Sequence, residues 1–133
     1  MKRPNPTTGL RHIALNVRDL AAAEHFYVEL MGMSVEWRPD ADNVYLTSGN
    51  DNLALHVVAG NEPGVSRVDH IGFFLAKQSD VDDWFEFLQH HGIKMKTKPR
   101  KHRDGAKSFY CYDPEGLTVQ LLCHPPLLDS VEV

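Results

Sequence analysis

The stretch LRHIALNV, residues 10–17, alternates apolar and polar side chains, and the stretch VDHIGFFL, residues 68–75, carries a histidine at the matching place. In the first stretch, every second residue is apolar, which predicts a β-strand with one face on a core. His12 lies on the opposite face, and His70 takes the same register in the second stretch. A single histidine there is typical of a hydrated or hydrogen-bonded surface residue, so its meaning depends on whether the rest of the chain repeats.

The sequence around the two strands does repeat. A helical pattern follows each strand and ends at a glycine, Gly32 in the first copy and Gly92 in the second. Glycine after the last apolar residue is typical of a left-handed helix C-terminus, and Asp19 and Ser79 are the expected N-caps. Three strand-like runs follow each helix, so each copy is predicted to fold as strand, helix, strand, strand, strand.

We predict an α+β fold in which two tandem βαβββ modules form an open, barrel-like mixed sheet around a central cavity. Each module alone would bury too little apolar surface, so the two are expected to share one domain. The predicted parts are a flexible N-terminal arm at 1–9, a single domain at 10–124 made of module one (10–58), a linker (59–66) and module two (67–124), and a C-terminal tail at 125–133.

Composition excludes several classes of protein. The formal net charge is −4, and no basic run is long enough to follow a nucleic-acid backbone. No apolar run approaches the length of a membrane span, and the first residues do not resemble a signal peptide. Cys111 and Cys123 both lie in apolar, strand-like runs, which favours reduced core thiols in a cytoplasmic protein. We therefore expect a small-molecule ligand, with neither nucleic acid nor membrane as a partner.

The same alternation places two further polar residues. His56 lies on the polar side of the last strand of module one, and Gln120 lies on the polar side of the last strand of module two. If a pseudo-twofold axis relates the modules, these side chains can converge with His12 and His70. Histidine is the most common metal-binding side chain, and glutamine can offer its carbonyl oxygen to a cation. The pattern predicts a divalent metal at His12, His56, His70 and Gln120.

The run SFYCYDPEGLTVQ, residues 108–120, predicts a β-hairpin. Pro114 and Gly116 suit a three-residue loop, which would set Asp113 opposite Leu117. Counting outward along both strands sets Tyr110 opposite Gln120, beside the predicted metal. The other interpretation of Tyr110 is an aromatic side chain that only packs across the strands.

Four pieces of the chain resemble the vicinal oxygen chelate superfamily, which includes glyoxalase I, methylmalonyl-CoA epimerase, fosfomycin resistance enzymes, extradiol dioxygenases and bleomycin resistance proteins. The pieces are RHIALNVRDL, FYVELMGM, VDHIGFFL and YDPEGLTVQLL, and the resemblance covers roughly residues 10–124. It implies metal ligands at the four positions named above and a small substrate held through two adjacent oxygens on Fe²⁺, Mn²⁺, Ni²⁺ or Zn²⁺. It also implies a homodimer.

The chain departs from the superfamily pattern because none of the four ligand positions holds a carboxylate. Glyoxalase-like members usually have carboxylates at the positions of His56 and Gln120, so an isomerase mechanism here would need another base, such as His56 itself or Glu36. The segment KHRDGAKSFYCYDPEG, residues 101–116, resembles the extradiol dioxygenase segment that sets a histidine and a tyrosine beside a catechol. His102 and Tyr110 would be those catalytic residues.

Two functions remain open from the sequence. The first is a divalent-metal-dependent enzyme of the glyoxalase/dioxygenase type, with the dioxygenase branch favoured over a lyase or isomerase. The second is a non-enzymatic protein of the bleomycin-resistance type that binds and sequesters a small molecule. Gln120 favours the second function, whereas the three histidines together favour the first. Trp37 and Tyr45 would line the pocket in either case, or would simply pack.

Overall fold

The computed structural model describes residues 1–59, 66–103 and 105–125. Along the chain the elements are β1 (Gly9–Val17), α1 (Leu20–Glu24), β2 (Ser34–Asp40), β3 (Asn43–Thr47), β4 (Asn52–Val57), β5 (Val68–Phe74), α2 (Gln78–His90), β6 (Arg100–Lys101), β7 (Lys107–Tyr112) and β8 (Thr118–Cys123). The predicted α+β class and the repeated βαβββ order are confirmed. Most of the predicted linker and tail lies outside the described residues, and the domain boundaries stay predictions.

The chain forms two compact units, and the first is His12–His70. Its strands lie in the order β2, β3, β4, β1, with β1 parallel to β4 and the other pairs antiparallel. One side of this sheet packs under the first helix around a cluster of fully buried aliphatic side chains: Val17, Val44, Leu46 and Leu55. The other side carries the polar residues of β1 and β4, in a register that pairs His12 with Asn52.

The polar face of β1 is more deeply buried than the alternation suggests. His12 is only 3% exposed, whereas Ile13 on the opposite face is 41% exposed. Leu15 packs against the aliphatic cluster, as the apolar face should. The interpretation of His12 as a hydrated surface residue is therefore wrong, because the face of β1 that carries His12, Ala14 and Asn16 is buried.

The first helix begins as predicted and then changes its winding. Asp19 is the N-cap, and its carboxylate accepts the Ala22 N–H at 3.0 Å. After Glu24 the chain continues as a π-helical segment over His25–Leu30, which a 3.6-residue pattern does not predict. Met31 is the C-cap of the segment, and the next residue, Gly32, has a φ of +88°, the left-handed conformation expected after a helix C-terminus.

The second helix does not begin at the predicted residue. Its N-cap is Lys77 rather than Ser79, so the prediction of Ser79 is wrong. The buried carboxylate of Asp80 accepts the Lys77 N–H at 3.3 Å, and it also accepts the Asn5 side-chain amide at 3.0 Å. The side chain that caps the start of α2 is therefore the carboxylate of Asp80 and not the hydroxyl of Ser79.

The second unit comprises Met1–Arg11 and Ile71–Val133, with β5, β8, β7 and β6 as successive neighbours. The predicted hairpin is confirmed, because Asp113 N–H donates to the Leu117 carbonyl at 2.9 Å and Tyr110 pairs with Gln120. The run that follows α2 was expected to be a full strand, but only two residues of β6 and an isolated bridge at Met95 pair with β7. The N–H groups of Lys96 and Thr97 both donate to the Tyr110 carbonyl, and Pro99 has no backbone N–H, so the ladder is irregular there.

The core of the second unit contains both cysteines. Cys111 and Cys123 are buried and form no disulfide, and they pack with the aliphatic and aromatic residues Leu75, Val81, Phe109 and Leu121. The prediction of free core thiols is confirmed. Among the described residues, no helix combines the length and the apolar character needed to cross a membrane.

Candidate metal centre

The two repeated histidines lie in direct contact. His12 Nε2 is 2.9 Å from His70 Nε2, although the residues are 58 positions apart. Both side chains are almost completely buried, and their rings are tilted by 39° with centroids 4.9 Å apart. The sequence predicted that His12 and His70 converge, and in the first unit their side chains are in contact.

The outer nitrogen of His12 is held by an amide. His12 Nδ1 lies 2.7 Å from Asn52 Oδ1, and Asn52 Nδ2 donates to Glu36 Oε2 at 2.9 Å. A carboxylate only accepts hydrogen bonds, so the Asn52 amide must turn its NH₂ to Glu36 and its oxygen to His12. His12 must then carry its proton on Nδ1, which leaves the lone pair on Nε2.

His70 is held in the same way by a different group. Its Nδ1 lies 2.8 Å from Asp69 Oδ2, and the carboxylate requires that His70 also carries its proton on Nδ1. Metal-binding histidines in proteins almost always donate their second ring N–H to a carboxylate or a carbonyl oxygen, which fixes the tautomer. Both histidines of this pair have that arrangement.

This arrangement fits a bound cation. Two Nε2 lone pairs that face each other at 2.9 Å repel unless a positive centre, either a proton or a metal ion, is shared between them. Two nitrogen ligands at right angles with metal–nitrogen bonds of about 2.1 Å would be separated by about 3.0 Å. The separation and the tautomers of His12 and His70 therefore suit two adjacent ligands of one divalent ion.

Within residues 1–59, 66–103 and 105–125, no group of three or more His, Cys, Asp or Glu side chains is arranged to hold a metal ion. His56 is not beside His12: its register partner is Asn16, four residues further along β1. Its Nδ1 lies 2.5 Å from Asn43 Oδ1. Burial lowers the pKa of His56, and the neighbouring His70 lowers it further, while Asp69 and Asp40 act in the opposite direction.

Gln120 belongs to the second unit and is 5% exposed. Its Nε2 donates to Ser108 Oγ at 2.9 Å, and the same hydroxyl lies 2.6 Å from His102 Nε2. The serine thus joins two residues that the sequence singled out separately. Tyr110 is half-buried on β7, opposite Gln120, and its backbone N–H donates to Thr97 Oγ1.

Asn52, Glu36 and Asp69 are the residues that sequence reasoning did not assign to the histidine pair. Asn52 lies four residues before His56, at the start of β4, and nothing in the sequence gives the β1–β4 register that sets it beside His12. The register of β2 against β3 shifts between Val35 and Trp37, as in a β-bulge. A bulge re-aims side chains, and here Glu36 reaches Asn52 while Trp37 packs against Tyr45.

The aromatic residues of this unit form a short series along β2, β3 and β4. Trp37 stacks on Tyr45, with ring centroids 5.4 Å apart and an angle of 19° between the planes. Tyr45 meets His56 edge to face at 6.1 Å. The alternative in which Trp37 and Tyr45 simply pack describes their contact with each other, and Tyr45 lies between the rings of Trp37 and His56.

A family model described as the Glyoxalase/Bleomycin resistance protein/Dioxygenase superfamily matches residues 9–121. One similar curated protein is 2,2',3-trihydroxybiphenyl dioxygenase of Sphingomonas paucimobilis, which is 27% identical over 88% of this chain and 42% of its own length. Another is glutathione transferase FosA of Serratia marcescens, which is 28% identical over 84% of this chain and 78% of its own length. The chain thus spans less than half the length of the dioxygenase.

A solved structure with a similar fold is the Mn(II)-bound glyoxalase from Novosphingobium aromaticivorans, with a TM-score of 0.72 and 22% identity, over 88% of this chain and 39% of the other. At this identity, the likeness shows a shared fold. The family-model match spans most of the chain, including both strands that begin the repeats. The chain belongs to the glyoxalase/bleomycin resistance protein/dioxygenase superfamily.

Proposed function

We propose that this chain is a divalent-metal-dependent enzyme acting on a small substrate that chelates the metal through two adjacent oxygens, with chemistry of the dioxygenase type. The observation that carries the proposal is the convergence of His12 Nε2 and His70 Nε2 at 2.9 Å, with both Nδ1 atoms turned to oxygen acceptors. Buried imidazoles in this arrangement favour a shared cation over a hydrated surface role.

The similar proteins support a metal-dependent function, and they include enzymes of both the glyoxalase and the dioxygenase type. The similar glyoxalase structure contains Mn(II), and one of the similar curated proteins is a dioxygenase. In this chain, His12 and His70 would hold the ion, and His56 and Gln120 stay predicted ligands. When bound, the ion supplies positive charge that stabilises the negative charge developing on two neighbouring substrate oxygens.

The protein's own groups would orient the ligands and the substrate. Asn52 and Asp69 hold the Nδ1 protons of the two histidines, so both Nε2 atoms stay directed at one point. An anionic substrate with two oxygens would compensate the charge that neutral ligands leave on the ion. Tyr110 and His102 are the proposed catalytic residues, and Tyr110 would donate a hydrogen bond to a substrate oxygen.

The first test is metal content. Protein purified without a metal-binding tag should take up about one equivalent of Mn²⁺, Fe²⁺ or Zn²⁺, and the His12→Ala/His70→Ala variant should lose this uptake. A matched control is His90→Ala/His91→Ala, which removes two exposed histidines from the end of α2. Equal metal content in the wild type, the paired variant and the control would reject the proposal.

A second candidate is a protein that binds and sequesters a small molecule without turnover. Gln120 favours it, because a neutral amide stands where glyoxalase-like relatives usually have a carboxylate that moves a proton. The two candidates differ in a product assay. Tight, stoichiometric binding of a chelating ligand with no product under air, after Fe²⁺ loading, would favour sequestration over catalysis.

The remaining proposals concern the setting of the protein. We expect a cytoplasmic homodimer with a small-molecule substrate. A run of exposed apolar residues supports association of two copies, namely Phe26, Leu30, Met31 and Val35. Family membership leaves the substrate, the metal and the oligomeric state open, because this fold supports many reactions.

A further inference from the structure

We infer that Glu36 and Asn52 are positioning residues that hold His12 in the tautomer with Nδ1 protonated, so that its Nε2 lone pair points at His70. The three side chains form a continuous series of hydrogen bonds: Glu36 Oε2 to Asn52 Nδ2 at 2.9 Å, then Asn52 Oδ1 to His12 Nδ1 at 2.7 Å. The role toward a metal rests on the proposed function, whereas the control of the tautomer does not.

The direction of the series is fixed at Glu36. A carboxylate cannot donate, so Asn52 must present its NH₂ to Glu36 and its carbonyl oxygen to His12. An asparagine alone offers either a donor or an acceptor to a histidine and does not choose the tautomer. The carboxylate therefore makes that choice, two side chains away from the ring that carries it.

The burial of the asparagine makes this control effective. Asn52 is 4% exposed and His12 is 3% exposed, so bulk water can hardly replace a lost partner of either side chain. An unsatisfied buried donor or acceptor costs about 1–3 kcal/mol, which corresponds to a preference of roughly fivefold to 150-fold for the satisfied arrangement. One His12 tautomer should therefore predominate.

Two features of the first unit bring the residues together. The parallel register of β1 and β4 sets His12 directly beside Asn52. In β2, Val35 pairs with Leu46, so the next residue, Glu36, lies on the same face as Tyr45 and Ala54, and its carboxylate reaches Asn52 there. The one-residue register shift that follows places Trp37 on this face as well, where it stacks on Tyr45.

The series explains why the histidine pair would be available to a cation. With Nδ1 protonated on both rings, neither Nε2 can donate to the other while both rings are neutral, and a shared positive centre would relieve the repulsion of the two lone pairs. If His12 instead carried its proton on Nε2, it would donate directly to His70 Nε2. That neutral hydrogen bond would satisfy the pair without a metal and would compete with metal binding.

The experiment reads the tautomer directly. Two-bond ¹H–¹⁵N spectra of ¹⁵N-histidine-labelled, metal-free protein at pH 8 should show His12 protonated on Nδ1. In Asn52→Leu, which has a similar shape but no acceptor, the proton should move to Nε2. Zn²⁺ affinity measured by calorimetry should then fall by about tenfold to a hundredfold. Asn43→Leu removes the equivalent amide contact from His56 and should leave His12 protonated on Nδ1.

A rescue separates positioning from packing. In Asn52→Asp alone, two carboxylates would face each other, and the variant should lose stability. In Asn52→Asp/Glu36→Gln, the new carboxylate can accept from both the introduced amide and His12 Nδ1, so the tautomer and the Zn²⁺ affinity should return. Glu36→Gln alone should give a mixture of His12 tautomers, because its amide can either donate to Asn52 or accept from it. If Asn52→Leu does not fold, Glu36→Gln still tests whether Glu36 and Asn52 select the His12 tautomer.

The outcomes distinguish this inference from the proposed function. If His12 keeps its proton on Nδ1 in both Asn52→Leu and Glu36→Gln, the inference is wrong even if the wild type binds Zn²⁺. If the tautomer moves as expected but the wild type binds neither Zn²⁺ nor Mn²⁺, the positioning role stands and the metal-dependent function is rejected.

Discussion

His70 Nε2 lies 2.9 Å from His12 Nε2, and each ring is held from behind by an oxygen acceptor of its own. The two acceptors differ in kind, since Asp69 is a carboxylate next to His70 in the chain and Asn52 is an amide on the neighbouring strand. The partner of His70 is therefore its neighbour in the sequence, whereas the partner of His12 is set beside it by the register of β1 and β4.

Metal binding should stabilise the fold. Because both histidines are buried in the native state, a divalent ion that binds them should raise Tm, with a gain of about 2.7 kcal/mol when the free metal is at 100 times its Kd. Thermal unfolding with and without Zn²⁺ measures this effect, and EDTA should reverse it. A His12→Ala variant that gains as much stability from Zn²⁺ as the wild type would contradict the prediction.

Tyr110→Phe should slow a dioxygenase-type reaction while leaving the fold intact. The substitution removes only a hydroxyl from a half-buried strand position opposite Gln120. We expect catechols to produce a spectral change with anaerobically reconstituted Fe²⁺ protein, and Tyr110→Phe to lower turnover by about a hundredfold. Tyr112→Phe, two residues along the same strand, is the control. Glutathione-dependent turnover of methylglyoxal without any catechol signal would show that the isomerase branch is correct.

Stability should decrease on acidification because of His56. Its pKa is lowered by burial and by the neighbouring His70, so the unfolded chain binds a proton at a higher pH than the folded chain does. The stabilising contribution is complete above about pH 6.5 and is lost as the pH falls below that value. Urea unfolding between pH 5 and 8 should show a smaller slope for His56→Gln than for the wild type. His90→Gln, an exposed control, should keep the wild-type slope.

Cys111 should resist alkylation in the folded protein. Burial, with a further effect of Asp113, raises the pKa of its thiol to about 11, so almost no thiolate is present at pH 8. We expect iodoacetamide to modify Cys111 at least a hundredfold more slowly in native protein than in urea, as judged by peptide mass spectrometry. Rapid native labelling at pH 8 would contradict both the burial and the raised pKa.

The apolar surface of the first helix should mediate association. Leu30 and Met31 are 65% and 64% exposed, which is high for residues of this type at neighbouring positions. Light scattering at micromolar concentrations should give a homodimer, and Leu30→Glu/Met31→Glu should shift it to a monomer. Glu29→Gln is a control for changes in charge on the same segment. A wild-type monomer across that range would reject the assembly.

The sequence by itself determined the repeat. Alternation in residues 10–17 and 68–75, with matching glycines at helix ends, is enough to predict two βαβββ modules because the strand period and the helix cap are local properties. The hairpin is also local: Pro114 and Gly116 fix the loop, and the loop fixes Tyr110 against Gln120. The start of α2 was the exception: Lys77 is the N-cap in place of Ser79, and Asp80, which accepts the Lys77 N–H, also accepts a hydrogen bond from the distant Asn5.

Only the tertiary structure decided which groups surround the histidines. The parallel register sets Asn52 beside His12 and His56 beside Asn16, and the place of His56 at the metal stays a prediction. Glu36 reaches Asn52 on the same face of the sheet, and a register shift in β2 brings Trp37 to this face as well; both depend on how the strands fit together rather than on either strand alone. Periodicity gives the face on which a residue lies, whereas the register and the bulge give its neighbours, and the neighbours fix the tautomer of His12.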